Sequence, residues 1–559
     1  MGDMRFEPKS PGGYSTSNEF VAAQEVSGYA PSEVHQPSRR HGTSITLGHR
    51  SFIVAILMFA LAACDNSSEQ ALRFATEAQS HMAAGNIAAA EKSIASAIAA
   101  RDDVPDFYIL SGDIKLAKGN RVGAYRDFKS AIDLDAGNIQ ALQQYCSLAV
   151  QLGEYGDADR AADTLMTLSP SSVVALQVKA MVAVFRERYD RAAEYTERLM
   201  SLSPNDPVAY TLKARILIHE EKYPEAREQL ETGLASNADN PLLLANRLNL
   251  ARKIGDSEAM AATFPPLMRL LPDNIDYRLD YANFQYRTGH AEEARSLIAK
   301  TLSDPAIEPT QLAMVLQLWS EHDNDPVSPA MIEEIVKADP EIIRAVCDYL
   351  LVANRATTAA QISQALTQRQ ANLMRGMLAR IAAASGEMVR ARSMSDDVLE
   401  RDAHNIDALI VRAGLNMKAR NWAKAIIDLQ TVMNENPESY SGYDMLARAY
   451  VGKGEMWRAQ QIYAQGVKAL PQNHFLQAQY LSFLHQIGDN GRAMATADLF
   501  SKANPASLKG WDRYAQICAR YTDAACAAKA RAGHENAQTI YALDYPLGYG
   551  SRMGLFGRI

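Results

Sequence analysis

From residue 71 onward, apolar residues recur at three- and four-residue spacing in both halves of a repeating 34-residue block. The segment VVALQVKAMVAVFRERYDRAAEYTERLMSLSPND (173–206) shows this spacing clearly. The twelve blocks begin at residues 71, 105, 139, 173, 207, 241 and 275, and after an interruption at 372, 406, 440, 474 and 508. Such spacing is typical of amphipathic helices that bury one face. The pattern therefore predicts an all-α chain built from twelve helix pairs.

Three positions within the block carry residues that suit a tightly packed helix pair. The twentieth position is alanine in eleven of the twelve blocks, with Met260 as the exception, and the eighth is small in most blocks. The fifteenth is glycine in eight blocks, and glycine can take the left-handed conformation that ends a first helix. Proline at the thirty-second position of six blocks would end the second helix. We expect the two helices of each pair to approach closely and to be joined by a sharp turn.

Block length, small positions and terminal proline together resemble the tetratricopeptide repeat. The resemblance covers twelve blocks, about three quarters of the chain, and implies an α-solenoid superhelix of stacked hairpins whose first helices line a concave groove. Residues 309–371 do not fit the frame and contain the turn-like EHDNDPVSP, so two degenerate hairpins are expected there. The predicted divisions are an N-terminal array of seven repeats (71–308), the degenerate hairpins (309–371), a C-terminal array of five repeats (372–541) and a C-terminal cap (542–559).

The region ahead of the repeats has the features of an export signal. Residues 1–46 are rich in Ser, Gly, Pro and charge, and are predicted to be disordered or untranslated. Residues 47–63 hold a 13-residue apolar run, which is shorter than the roughly 20 residues of a membrane span and suits a signal peptide. The run ends in Leu-Ala-Ala-Cys, which resembles the lipobox of bacterial lipoproteins and implies a diacylglycerol on Cys64, with 64–70 as a short tether. The competing interpretation, a buried cysteine in a short hydrophobic helix, is less favoured because polar DNSSEQ follows at once.

Composition and motifs give no support to an enzyme or a nucleic-acid-binding protein. The net charge of -8 is mild and its signs are well mixed, so no nucleic-acid partner is expected. We find no catalytic constellation and predict neither an enzyme nor a cofactor. Glu321, His322, Asp323 and Asp325 offer oxygen and nitrogen ligands to a divalent ion. They lack the spacing of a calcium loop, however, and a solvated turn is the favoured interpretation.

The cysteines divide into two kinds. Cys518 and Cys526 lie eight residues apart in the last block. They would form a disulfide across its hairpin if the chain is exported, or they are two small core residues; both interpretations stay open. Cys146 occupies a small eighth position, and Cys347 lies in the apolar IIRAVCDYLL. Both are predicted to serve packing.

The resemblance also implies a binding surface. In tetratricopeptide arrays, positions 2, 5, 9, 12 and 13 of the first helices tend to face a ligand. These positions supply a run of amide and cationic groups, namely Arg215, His219, Asn249, Arg252, Lys253, Asn283, Tyr286 and Arg287. Amides can bond an extended main chain while cations pair with acids. The simpler interpretation, an ordinary solvated helix face, is favoured, because charged side chains are common on any exposed surface.

These features together predict a lipid-anchored scaffold that faces the periplasm of a bacterial cell envelope. Its partners would be protein or peptide segments held in the groove, and the resemblance extends to lipoproteins of assembly and export complexes, exopolysaccharide export among them. The alternative is an accessory subunit that regulates a membrane or cytoplasmic enzyme, held by a single N-terminal membrane segment. Inhibition of lipoprotein processing separates the two, since only a lipoprotein precursor would accumulate.

Overall fold

The computed structural model describes residues 67–540, which contain twenty-nine α-helices and no strand. Contacts divide the chain into Met1–Glu69 and Gln70–Ile559, and the architecture below belongs to the second unit except for residues 67–69 of the first helix. The first array comprises α1 (67–83), α2 (Ile87–Ala100), α3 (Pro105–Ala117), α4 (Arg121–Leu134), α5 (Ile139–Leu152), α6 (Tyr155–Leu168), α7 (Val173–Phe185), α8 (Tyr189–Leu202), α9 (Pro207–His219), α10 (Tyr223–Ser236), α11 (Pro241–Ile254), α12 (Ser257–Leu270), α13 (Ile275–Arg287) and α14 (Ala291–Leu302).

A junction and a second array follow. The junction comprises α15 (Pro309–His322), α16 (Pro329–Ile335), α17 (Pro340–Val352), α18 (Ala356–Ala365) and α19 (Gln368–Leu373). The second array comprises α20 (Arg375–Ala384), α21 (Met388–Arg401), α22 (Ile406–Lys418), α23 (Trp422–Glu435), α24 (Tyr440–Lys453), α25 (Met456–Ala469), α26 (His474–Gln486), α27 (Asn490–Ala503), α28 (Leu508–Arg520) and α29 (Ala524–Thr539). The predicted all-α solenoid is confirmed. None of the helices between residues 67 and 540 combines the length and apolarity that a membrane crossing requires.

The first helix of most repeats begins at a side-chain cap. In nine of the twelve pairs, the residue before the block accepts a hydrogen bond from a backbone N–H of the first turn. The nine caps are Asn138, Ser172, Asp206, Asn240, Asn274, Asn405, Ser439, Asn473 and Ser507. Each satisfies a backbone donor that has no partner inside its helix. The start of the repeat is thus encoded by one polar residue.

The turn inside each hairpin has one backbone conformation throughout the chain. All twelve residues at the fifteenth position have positive φ, between 56° and 88°. Eight are glycines, and the other four are Glu187, Glu221, Arg420 and Thr522. Asn354 takes the same conformation in the junction. The packing of the hairpin therefore imposes the left-handed turn even on residues that carry a Cβ, for which it is costly.

Small residues allow the helices of a pair to lie close together. The twentieth position is fully buried in eleven of the twelve repeats, Met260 included. At Gly112 a Cβ would lie 2.7 Å from Cζ of Phe128 on the partner helix, which shows how closely this backbone approaches the neighbouring ring. Cys146 and Cys347 are fully buried, and burial raises the pKa of each thiol to about 12. Both therefore behave as small apolar residues in the core.

The junction forms the two degenerate helix pairs, α15–α16 and α17–α18, that the sequence predicts between the arrays. Its helix α16 has only seven residues and packs on α14 and α18. In the regular repeats, by contrast, the second helix of a pair packs on the first helix of the next one. Trp319 fills the centre of the junction and is fully buried. The first helix of the following repeat is broken at Met374, so α20 begins at Arg375 rather than at residue 372.

The end of α15 is joined directly to the second array. The Glu321 carboxylate accepts hydrogen bonds from the Ser507 hydroxyl at 2.7 Å and from the Lys509 N–H at 2.9 Å. Its other partner is His474, whose Nε2 lies 2.9 Å away. Lys509 Nζ in turn donates to the carbonyl of Ser320 at 2.7 Å. The start of α28 is therefore fixed to α15 by both side-chain and main-chain bonds.

Two further contacts extend this connection. Arg287, at the end of α13, donates to the carbonyl of Ala506 at 3.3 Å and to that of Ala537 at the end of α29. The rings of Tyr349 and Phe475 meet edge to face with centroids 5.8 Å apart. The second array thus bends back onto α13, α15 and α17.

Candidate functional site

Arg252, Tyr286 and Arg287, which are among the eight groove residues predicted from the sequence, form an ion pair or hydrogen bonds with other helices of the chain. Arg252 pairs with the buried Asp280 on the next first helix at 2.8 Å. The Tyr286 hydroxyl donates to Asp323 at 3.0 Å, and Arg287 bonds the two carbonyls of the second array. These side chains hold neighbouring helices together in the structure.

The other five differ in exposure. Asn283 is buried and Asn249 is partly buried, whereas Lys253 and His219 are exposed. Arg215 is largely covered, and its Nη1 atom is buried without a hydrogen-bond partner. The structure therefore does not gather all eight into one surface. A binding role for them remains a prediction.

Three consecutive repeat boundaries in the first array share one stacking contact. In each contact, the first residue of the second helix of one pair lies against the first helix of the next pair. The residue contacted there is the last or the second-last residue of that helix. The contacts are Tyr155 on Phe185 and Tyr189 on His219, each with ring centroids 3.6 Å apart, and Lys253 Nζ over the Tyr223 ring at 5.9 Å. We call these six residues the stacked row. Phe185, His219 and Lys253 are its exposed members.

The acidic turn at the end of α15 has a structural role. Burial favours the neutral form of Glu321, but its bonds with His474, Lys509 and Ser507 hold its pKa at about 2. Burial lowers the pKa of His322 to about 4. Asp323 forms a two-point ion pair with Arg295 at 2.7 and 2.9 Å. Within residues 67–540 no three His, Cys, Asp or Glu side chains are grouped so as to hold a metal ion.

The cysteine predictions have different outcomes. Cys518 and Cys526 form a disulfide between α28 and α29, with Cα atoms 5.4 Å apart. Cys64 and the apolar run before it lie outside the described residues, as do the leader and the C-terminal cap. The proposed lipidation therefore stays a prediction.

One concave site lies in the second array, where the sequence analysis placed no binding residue. A cavity of about 450 Å³ opens on α17, α20, α22, α24 and α26. We call it the second-array groove. Its apolar floor includes Leu351, Ile410, Val411, Leu415 and Met445, and its polar lining includes Asn354, Arg380, Lys418, Tyr440, Asp444, Arg448 and Gln479. The sequence does carry a signal for it, since Lys418 occupies the thirteenth position of its block and Arg448 the ninth position of the next block.

A buried ion cluster fixes the floor of this groove. Arg380 bonds Asp407 at 2.8 Å, Ser441 at 3.1 Å and Asp348 at 2.5 Å. Burial opposes its charge, yet the two carboxylates raise its pKa above the ordinary arginine value. Because its charge is already matched, Arg380 positions the helices around the groove. Lys418 and Arg448 remain as exposed cations at the rim.

Asp444 places a carboxyl group in the lining of the groove. Burial raises its pKa, although Arg448 at 3.4 Å and the Tyr463 hydroxyl at 3.1 Å oppose the rise. The groove therefore combines an apolar floor with a few fixed polar groups, an arrangement that is common in binding sites.

Comparison with known proteins gives one family and several solved structures. Residues 186–247 match the tetratricopeptide repeat family. A tetratricopeptide repeat protein of Parabacteroides merdae ATCC 43184 is similar at 17% identity over 44% of this chain and 98% of that one, with a TM-score of 0.38. PilF of Pseudomonas aeruginosa is similar at 20% identity over 38% and 96%, with a TM-score of 0.31. PilW, a type IV pilus biogenesis factor, is similar at 15% identity over 36% and 94%, with a TM-score of 0.32.

No curated protein is significantly similar to the chain. The matched segment includes α8, α9 and α10. The same helix–turn–helix unit, with the same buried small residue and the same left-handed turn, recurs on both sides of it. Residues 186–247 are therefore similar to the tetratricopeptide repeat family, and the helix pairs on either side of them have the same local geometry.

Proposed function

We propose that this protein is a membrane-tethered scaffold that holds a segment of a partner protein in the second-array groove, within an assembly or export complex of a bacterial cell envelope. Among such complexes we place exopolysaccharide export first. The observation that carries the proposal is the cavity of about 450 Å³ lined by the first helices of five consecutive helix pairs. Protein binding is the function that the repeat fold suggests.

The lining of the groove suits an extended peptide. Residues from α17, α20, α22, α24 and α26 contribute in turn along its length, so a segment crossing it would meet each repeat once. Apolar side chains would lie on the floor around Ile410 and Met445, while Asn354 and Gln479 can bond the main chain. The cations Lys418 and Arg448 favour a segment that carries acidic residues.

The membrane tether rests on the Leu-Ala-Ala-Cys motif at Cys64. Helix α1 begins at residue 67, so lipidation of Cys64 would leave a connection that spans about 10 Å at most. Two or three acyl chains would anchor the protein stably. The repeats would then bind partners close to the membrane surface.

Site-specific photo-crosslinking tests the groove. A photoreactive residue replaces Lys418 at the rim, and matched proteins carry it at the exposed Lys424 or Lys468 outside the groove. We expect a cross-linked partner from the Lys418 position alone, and we expect Arg448→Glu to remove it. Equal cross-linking from all three positions would refute the groove as the binding site.

Mass spectrometry of the mature N-terminus tests the tether. A diacylated Cys64, together with a precursor that accumulates when lipoprotein signal peptidase is inhibited, is the expected result. A mature chain that begins upstream and does not respond to the inhibitor would contradict lipidation and favour a simple membrane segment.

A further inference from the structure

The hairpin turns of the second array lie side by side along one edge. We give the name turn edge to the four segments that run from a turn into the start of a second helix, namely 385–392, 419–426, 453–460 and 487–494. Each segment or its flanking residue contacts the next. The contacts are Met388 Sδ with Lys418 Nζ at 3.3 Å, Trp422 Cη2 at 2.5 Å from where a Cβ of Gly452 would lie, and Gln460 Nε2 with Asp489 at 3.2 Å. The segments are therefore neighbours in the fold.

The turn edge is basic, although the net charge of the whole chain is -8. It holds seven cations and three acids, which gives a net charge of +4. The cations are Arg390, Arg392, Arg420, Lys424, Lys453, Arg458 and Arg492, and the acids are Glu387, Glu455 and Asp489. The same eight positions of the five repeats between residues 139 and 308 hold six lysines and arginines and twelve acids. Positive charge is therefore concentrated on this edge.

A cation is the third residue of four consecutive second helices. These residues are Arg390 of α21, Lys424 of α23, Arg458 of α25 and Arg492 of α27. The start of a helix has partial positive charge, so acids are favoured there and cations are disfavoured. Three repeats of the first array follow that preference, with Asp157, Glu225 and Glu293 at the same position. Departures from a local preference occur chiefly where function requires them, and here four follow one another.

The acids of the edge do not match all of its cations. Arg392, Arg420 and Lys424 are exposed, and none of them has an acidic partner within residues 67–540. The other four cations lie within 3.5 Å of an acid of the edge. Three positive charges thus remain available to an external anion.

Apolar side chains lie among these cations. Val389 is 86% exposed and Trp457 is 59% exposed, and Met456 and Ile487 are exposed as well. The Arg458 guanidinium lies 5.2 Å from the centre of the Trp457 ring. Transfer of such side chains from water to an apolar layer is favourable. Tryptophan and cations with long stems are typical of the membrane–water interface, where the ring lies at the level of the headgroups.

We propose that the turn edge is a membrane-binding surface, which lies against a bilayer that contains anionic phospholipids. Val389, Met456 and Trp457 enter the interfacial layer, while the cations pair with the lipid phosphates. This contact does not depend on an anchor at Cys64, because it holds the second array and not the N-terminus. It goes beyond the proposed scaffold function by fixing which edge of the second array faces the lipid.

A bilayer fits the edge better than a nucleic acid or an acidic protein. A nucleic acid would pair with the cations and stack on Trp457, but it would leave Val389 and Met456 in water. An acidic protein would need carboxylates spaced to match one cation per repeat. An anionic bilayer receives both the apolar and the cationic groups, and its mobile headgroups adjust to any spacing.

Co-sedimentation with lipid vesicles tests the proposal. The chain from Asp65 onward keeps every described helix. It is mixed with vesicles of phosphatidylcholine, either alone or with about one third of phosphatidylglycerol. We expect binding to the anionic vesicles to be at least about tenfold stronger. Raised salt should weaken it, because salt screens exposed charges.

Two sets of variants separate the charged and the apolar parts of the contact. Exchange of the three unpaired cations for Gln should weaken binding to anionic vesicles at least about tenfold. The matched set Lys92→Gln, Arg188→Gln and Arg191→Gln changes the net charge equally at exposed positions of the first array, and it should keep the binding.

The apolar set has its own control. Val389→Ser with Trp457→Ser should weaken binding at least about fivefold. Ile427→Ser with Leu499→Ser, at exposed apolar positions outside the edge, should leave it unchanged.

Four results would overturn the proposal. They are equal binding of the unaltered chain to both kinds of vesicle, no loss in the variants of the edge, an equal loss in their controls, and binding of a DNA duplex or of polyglutamate that depends on the edge in place of vesicle binding. The comparison on the unaltered chain remains valid even if a variant does not fold. Failure here is distinguishable from failure of the scaffold function, since cross-linking from Lys418 and lipidation of Cys64 would persist.

Discussion

The Glu321 carboxylate at the end of α15 accepts a hydrogen bond from the N–H of Lys509 in the first turn of α28, at 2.9 Å and across 188 residues of sequence. The Ser507 hydroxyl, which caps α28, donates to the same carboxylate. An acid from the junction therefore completes the N-terminal cap of a helix in the second array, where negative charge is stabilised by the helix dipole. This one side chain connects the two ends of a long stretch of repeats.

Glu321→Ala should loosen that connection. It leaves His474, Ser507 and the Lys509 N–H without their shared acceptor, at a cost of about 3 kcal/mol. Hydrogen–deuterium exchange of residues 505–520 should accelerate. The exposed Glu333 provides the matched control, since Glu333→Ala should leave the exchange unchanged. Equal protection in both variants would contradict the role of Glu321.

The contact should also weaken as the pH falls. The pKa of His322 is about 4 in the folded chain, below its ordinary value near 6.5. The contribution of His322 to the free energy of unfolding is therefore complete above pH 6.5 and is lost as the pH falls towards 4. Glu321, with its pKa of about 2, adds a second loss between about pH 4.5 and 2. We expect exchange in α28 to rise in both windows. His322→Gln should remove the first window only, and His290→Gln, at an exposed position, should remove neither.

Glycine at two turns should stabilise the first array. Glu187 and Glu221 both have φ of 58°, in the left-handed region that L-residues adopt at a cost of about 1 kcal/mol. Glu187→Gly and Glu221→Gly should each raise the midpoint of urea unfolding. Gly454→Ala, at φ of 87°, should lower it by a similar amount. A fall in stability for both glutamate variants would show that their side chains contribute more than the strain costs.

Reduction should affect one hairpin selectively. The disulfide between Cys518 and Cys526 closes a short loop, and its loss should destabilise α28–α29 by about 2 kcal/mol. After reduction, iodoacetamide should label Cys526, which is partly exposed, in the native protein. Cys146 and Cys347, whose thiol pKa is about 12, should react only after unfolding. Labelling of all four at one rate would contradict the assignment.

The repeat architecture could be predicted because its contacts are local. Each small residue and each turn acts between neighbouring helices, so the same requirement returns in every block and becomes visible as a period. Glu187 and Thr522 adopt the left-handed turn that glycine adopts in other repeats. The packing of the hairpin therefore outweighs the backbone preference of the individual residue.

The candidate sites were harder to predict for the opposite reason. Arg252 and Arg287 were placed on the groove by their positions in the repeat, but their partners Asp280 and Ala537 come from other parts of the fold. Nothing in the periodicity indicates that the second array returns to α13. The position of Arg215 in the repeat is visible in the sequence, whereas the buried Nη1 atom without a hydrogen-bond partner is visible only in the folded chain.

The bond from Glu321 to Lys509 also limits how this chain can evolve. An open row of repeats can gain or lose a unit with little effect on the units far away. Here the bond from Lys509 to Glu321 joins the two ends of the helices between them. Deleting a single helix pair from that stretch would carry Lys509 out of reach of its acceptor. The number of repeats in this part of the molecule is therefore fixed by geometry.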